Sequence, residues 1–92
     1  MAESDDGRLS AHELGEAALS TVEELTGYDA EAVTGLEWDG ELWQLTVDVL
    51  EIARIPNTTD VMGSYAVQLD ERGTLRGYRR TRRFPRGQLS GE

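Results

Sequence analysis

The chain has 92 residues, with 9 basic and 18 acidic side chains, a net charge of -9 and 38% hydrophobic residues. That is enough for one small domain with a modest core, near the size where burial only just outweighs chain entropy. It has no cysteine and no apolar run long enough to span a bilayer, which excludes a disulfide framework, thiolate metal ligation and a transmembrane helix.

Residues 1–8 are acidic and polar, unlike the basic-then-apolar design of a signal peptide, and are expected to form a disordered tail. A soluble, cytoplasmic protein follows from that reading. Ser10 stands three residues before Glu13, the spacing of a capping box, and Leu9 and Leu14 are placed to form a hydrophobic staple. A helix is predicted from Ala11 to Leu25, with Leu14, Ala18, Val22 and Leu25 on one stripe and Gly27 ending it in the left-handed conformation.

The apolar period then shifts from helical toward two. Ala32 to Trp38 reads as a first strand, Asp39-Gly40 as a tight primed turn and Glu41 to Arg54 as a long second strand. Trp43, Leu45, Val47 and Val49 share one face. Around Leu50 and Ile52 the apolar set changes face, which implies a bulge or a partly covered second face. Pro56 cannot donate to a ladder and should end the strand. Val61 to Asp70 supplies a third strand, with Tyr65, Val67 and Leu69 facing together, and Thr74 to Phe84 a fourth after the turn at Glu71-Arg72-Gly73. The predicted fold class is α+β: one N-terminal helix packed on a four-stranded antiparallel β-meander. A single domain would span residues 9–86, with a flexible tail at 87–92.

Enzyme chemistry is poorly supported by these residues. His12 is the only imidazole, and its place in the first helical turn predicts solvent exposure. No nucleophile is set beside a base, no glycine-rich loop can cradle phosphate, and the carboxylates follow no calcium-loop spacing. The chain is read as a non-enzyme with no cofactor and no metal. Asn57-Thr58-Thr59 matches a glycosylation acceptor but is read as turn chemistry, with Asp60 folding its side chain back onto the loop.

Charge is polarised along the chain. All acidic residues but Glu92 precede Arg72, and every basic residue is arginine, seven of them from Arg72 onward. Arg76, Arg79, Arg80, Arg82, Arg83 and Arg86, interleaved with Tyr78 and Phe84, carry a nucleic-acid signature. Strand alternation, however, sets Arg76, Arg80 and Arg82 against Arg79 and Arg83 and divides the charge. The acidic remainder repels phosphate over a Debye length of about 8 Å. Docking to an acidic protein surface is the preferred reading, and a small nucleic-acid-binding regulator using the last strand is the alternative. The sheet face without a helix would carry Gln44, Thr46, Leu50, Ile52, Met62, Ser64 and Ala66. That is a mixed surface suited either to interaction or to plain solvation.

A distributed pattern adds to this reading. It comprises Leu25-Thr26-Gly27, Asp39-Gly40 with Trp43, a valine-rich strand into Glu51, Arg54-Ile55-Pro56 and Thr59-Asp60-Val61. It continues with Tyr65 and Val67, Leu69-Asp70, Gly73, Gly77-Tyr78-Arg79-Arg80 and Arg83-Phe84. From about Val22 to Arg86 the chain resembles the gas vesicle protein O (GvpO) family. Ala66 stands where an acidic residue is typical of that pattern, and Phe84 where tyrosine is common. The resemblance implies an accessory role in gas vesicle assembly, exercised through other gas vesicle proteins, accessory or shell, without a catalytic residue. It supports Arg54, Tyr65, Tyr78, Arg79, Arg80, Arg82 and Arg83 as candidate partner contacts.

Overall fold

The computed structural model describes residues 7–87, so most of the two expected tails, residues 1–6 and 88–92, lies outside the described residues. The helix α1 spans Ala11–Thr26 and is followed by β1 (Asp29–Trp38), β2 (Trp43–Ile52), β3 (Val61–Leu69) and β4 (Leu75–Pro85). The four strands form one antiparallel sheet in the order β1-β2-β3-β4. This is the expected α+β meander with one helix.

Local chemistry sets the helix ends. Ser10 Oγ accepts from the Glu13 N–H at 3.2 Å while Glu13 Oε1 accepts from the Ser10 N–H at 2.9 Å, a complete capping box. Gly27, at φ 79°, closes α1 in the left-handed region and donates its N–H to Glu23 O. Leu14, Ala18 and Val22 are fully buried against Leu45, Val47, Val49, Val67 and Leu69. Leu25, expected on the same stripe, is 46% exposed.

Two tethers set the helix on a diagonal. At its start the Leu9 N–H donates to Glu71 O, in the turn between β3 and β4, at 2.9 Å. At its other end Glu23 Oε2 accepts from the Ala30 N–H at the head of β1. The helix therefore packs mainly on β1 and also on β2 and β3, with β4 at its margin. Its last turn is tied to the edge strand β1, and Leu25 there stays half exposed.

The strands depart from simple alternation in identifiable places. The turn after β1 is longer than the expected two-residue primed turn, because Trp38 already faces Trp43. Asp39 Oδ1 accepts from the N–H groups of both Glu41 and Leu42, an Asx-type geometry that holds a wider loop. The first strand begins at Asp29 rather than Ala32, and register shifts fall at Glu31 and Thr34. In β2 the expected bulge is present: Leu50 faces Met62 and Ile52 faces Val61, leaving Glu51 as the extra residue. Ile52 thus leaves the Leu50–Met62 row and does not join the helix-free face as expected.

After β2 the Ile55–Pro56 peptide is cis, and one turn of 3-10 helix runs over Asn57–Thr59. The chain stays paired beyond β4, since Arg86 N–H donates to Asp60 O and Gly87 N–H to Thr58 O, both at 2.7 Å.

Candidate docking surface

β4 is an edge strand, and its arginines are sorted by two bulges. Gln68 faces Gly77 and Leu69 faces Leu75, so Arg76 is an extra residue; Ser64 faces Arg82 and Tyr65 faces Arg80, so Thr81 is another. Cross-strand partners share a face. Tyr78 (opposite Val67), Arg80 (opposite Tyr65) and Arg83 (opposite Gly63) therefore lie on the helix side. Arg79 (opposite Ala66) and Arg82 (opposite Ser64) lie on the other side. The expected grouping of Arg80 with Arg82 against Arg79 with Arg83 is corrected by the Thr81 bulge, which resets the alternation between them.

On the helix side the expected candidates Tyr65, Tyr78, Arg80 and Arg83 come together around Glu51. Arg83 Nε lies 2.9 Å and Arg80 Nη1 3.3 Å from the same carboxylate oxygen, Oε1. The Glu51 side chain is 2% exposed, whereas those of Arg80 and Arg83 are 43% and 50% exposed. The second oxygen, Oε2, is buried without a hydrogen-bond partner. It rests against Gly63, where a β-carbon would collide with it. Tyr65 and Tyr78 stack with centroids 6.2 Å apart. Burial raises the Tyr65 phenol above its ordinary range, and the nearby Glu51 charge adds to the shift.

The opposite face is assembled differently. Arg82 lies 4.3 Å above the centre of the Phe84 ring, and Ser64 Oγ donates to Asp48 Oδ1 at 2.6 Å. Arg79 borders a shallow cleft of about 280 Å³ with Gln44, Ala66, Gln68, Gly77 and Tyr78. A larger cleft, about 480 Å³, lies at the far end of the sheet against Trp38 and Trp43, whose rings are 5.3 Å apart. Arg8, Leu9 and Glu71 complete the lining of the larger cleft. His12 is exposed and pairs with Glu16 at 3.1 Å. Among the described residues no group of three or more His, Cys, Asp or Glu could hold a metal ion, and no helix is long and apolar enough to cross a membrane.

Arg54, the remaining expected candidate, stands apart in the connection from β2 to β3, with its N–H donating to Asp60 Oδ1 at 2.7 Å. Arg86, by contrast, is a strut. Its Nε donates to Asp60 Oδ2 at 2.9 Å while Nη1 and Nη2 reach both oxygens of Glu31 on β1. The Arg54 N–H holds the Asp60 carboxyl below its ordinary range, with further help from Arg86. The backbone N–H groups of Leu42 and Glu41 lower Asp39, and that of Thr74 lowers Asp70.

Each of these three aspartates has a folded pKa below the unfolded value of 3.8. Their stabilisation is therefore complete well above that value and is lost as pH falls through it and below the folded values. Melting temperatures measured across pH should be level near neutrality and drop in this acid window. Asp60→Asn should melt about 5–10 °C lower at pH 7, a shift equivalent to one or two lost interactions in a domain this size. Its deficit should shrink at low pH; a deficit that persists undiminished there would mean that charge on Asp60 is not the stabilising feature.

Sequence comparison supplies the wider context. The family described as gas vesicle synthesis protein GvpO matches residues 1–90. A gas vesicle protein O from Streptomyces sp. (strain CB03234) is 49% identical over 70 residues, covering 76% of this chain and 55% of the relative. One from Haloferax mediterranei is 29% identical over 91 residues, covering 98% of this chain and 65% of the relative. Gas vesicle protein O1 of Halobacterium salinarum is 31% identical over 75 residues, covering 82% of this chain and 63% of the relative. The chain thus spans less than two thirds of the length of these relatives. No solved structure gives a significant match. The match over nearly the whole sequence means that this chain belongs to the gas vesicle protein O family.

Proposed function

We propose that the chain is a non-enzymatic accessory factor of gas vesicle formation, working in the cytoplasm by docking other gas vesicle proteins, accessory or shell. The observation that carries the reading is the edge strand β4, which presents Tyr78, Arg79, Arg80, Arg82 and Arg83 as exposed side chains on both faces of the sheet. Arginine and tyrosine are favoured at protein interfaces, because each combines contact area with directional hydrogen bonds. Arg54, also exposed, completes the proposed contact set, whereas Tyr65, only 7% exposed, supports it from within the core by stacking under Tyr78. The division of arginines between two faces and the net charge of -9 favour a protein partner over nucleic acid.

Co-purification with the other gas vesicle proteins tests the reading. Arg79 and Arg80 lie on opposite faces, so replacing both by alanine samples both sides of β4. Binding should weaken by about tenfold or more, as for loss of interface arginines. Unchanged recovery of partners would remove β4 as the docking element.

A further inference from the structure

We infer that the helix-side corner formed by Tyr78, Arg80 and Arg83 receives an acidic peptide segment of a partner protein. One carboxylate is held between the two guanidinium groups, and an adjoining apolar side chain lies against Tyr78. The inference rests on the docking reading above and narrows it to one face and one chemistry.

The corner exists because α1 crosses the sheet diagonally. Its start is tied to the turn between β3 and β4 and its end to β1, so the other end of β4 lies outside its cover on the helix side. A helix with its side chains is about 10 Å across and adjacent strands are about 4.8 Å apart, so one helix covers about two strands. The uncovered part is lined by Tyr78, 42% exposed, and by the two half-exposed arginines.

Charge decides what this corner accepts. Glu51 is buried beneath Arg80 and Arg83 and contacts both through a single oxygen. One negative charge under two positive ones leaves the cluster positive. Arg83 meets Glu51 through Nε and Arg80 through Nη1, which leaves further guanidinium N–H groups on both for an outside acceptor. Planar N–H pairs suit a carboxylate, and such charge-assisted bonds are the strong ones. A nucleic-acid backbone requires a continuous line of cations, whereas this face offers an isolated pair, with Arg79 and Arg82 turned away. Tyr78, stacked on the buried Tyr65 beside the pair, adds an apolar surface that a peptide side chain can use.

The test measures binding of this chain to each gas vesicle protein encoded with it, purified singly, with a short DNA duplex as the polyanion probe. Arg80→Glu and Arg83→Glu should each weaken binding of the partner by about tenfold or more. Tyr78→Ser, which leaves the Glu51 cluster intact and guards against a folding artefact, should weaken it as well. Arg79→Glu and Arg82→Glu, on the other face, should weaken it less than Arg80→Glu or Arg83→Glu, and Arg76→Glu, an exposed β4 position outside the proposed contact set, should leave it within about twofold, because charges outside an interface contribute little. Loss of binding only in the Arg79 and Arg82 variants would overturn the corner while the docking reading stands. Failure of the unaltered chain to bind any of these proteins would overturn that reading, and the corner with it. Tight binding of the duplex that vanishes with Arg80→Glu would assign the corner to a polyanion and overturn the acidic peptide.

Discussion

Replacing Gly63 with valine should destabilise the protein by about 1–3 kcal/mol, the usual range for forcing extra methyl groups into packed space. Strand propensity predicts the reverse, since valine favours strands and glycine weakens them. The difference lies in what the new side chain meets. A β-carbon at Gly63 would collide with Glu51 Oε2 and stand 2.9 Å from the carboxylate carbon. Glu51 cannot simply withdraw, because Arg80 and Arg83 cover it and its side chain is 2% exposed. Shortening Glu51 to alanine opens the space, so Gly63→Val should be far less harmful in that background. A double-mutant cycle by urea denaturation should give a coupling energy of about 1 kcal/mol or more, as for residues in direct contact. Coupling near zero would mean that the carboxylate does not occupy the ground above Gly63.

That contact also shows where sequence reasoning reached and where it stopped. The capping box at Ser10 and Glu13, the helix end at Gly27 and the order of four strands were legible, because each depends on local chemistry or on a period within one segment. The bulge at Glu51 was visible too, since the apolar alternation slips there. The bulges at Arg76 and Thr81 left no such mark. Both lie in a run of exposed polar residues, where an extra residue does not interrupt any apolar pattern. Yet the second decides which arginines stand together: it places Arg80 with Arg83 and Arg79 with Arg82.

Glu51 illustrates a related limit. In the sequence it reads as one more carboxylate among 18 acidic groups, and only the fold brings it beneath two arginines that lie about thirty positions away. The signal that could have found it was the glycine opposite the slipped register, which leaves room for a side chain on β2 to lie flat. Arg86 was equally hidden. In the sequence it reads as one more member of the arginine cluster of the last strand, whereas the structure uses it to join Asp60 at the start of β3 to Glu31 on β1. Sequence alone cannot separate a charge that faces a partner from one that binds the fold together.

The largest loss of stability is expected from Leu14→Ala. Leu14 is fully buried at the contact of α1 with the sheet, and removing a buried leucine side chain costs about 2–5 kcal/mol, depending on how far the site collapses. Domains of this size have total stabilities of about 5–15 kcal/mol, so this one change can remove a large fraction. Among the described residues α1 is the only α-helix, and its buried row of Leu14, Ala18 and Val22 is what shields the inner faces of β2 and β3. Leu25→Ala should behave differently even though the same helical spacing links it to Val22. At 46% exposure it already meets solvent, and the change should stay within about 0.5 kcal/mol, as for ordinary surface positions. Urea titrations of the two variants discriminate sharply: the midpoint should fall steeply for Leu14→Ala with an unchanged slope, and barely move for Leu25→Ala. Equal losses would mean that α1 lies along the sheet with its whole apolar stripe engaged. The diagonal crossing, and with it the open corner above β4, would then have to be abandoned.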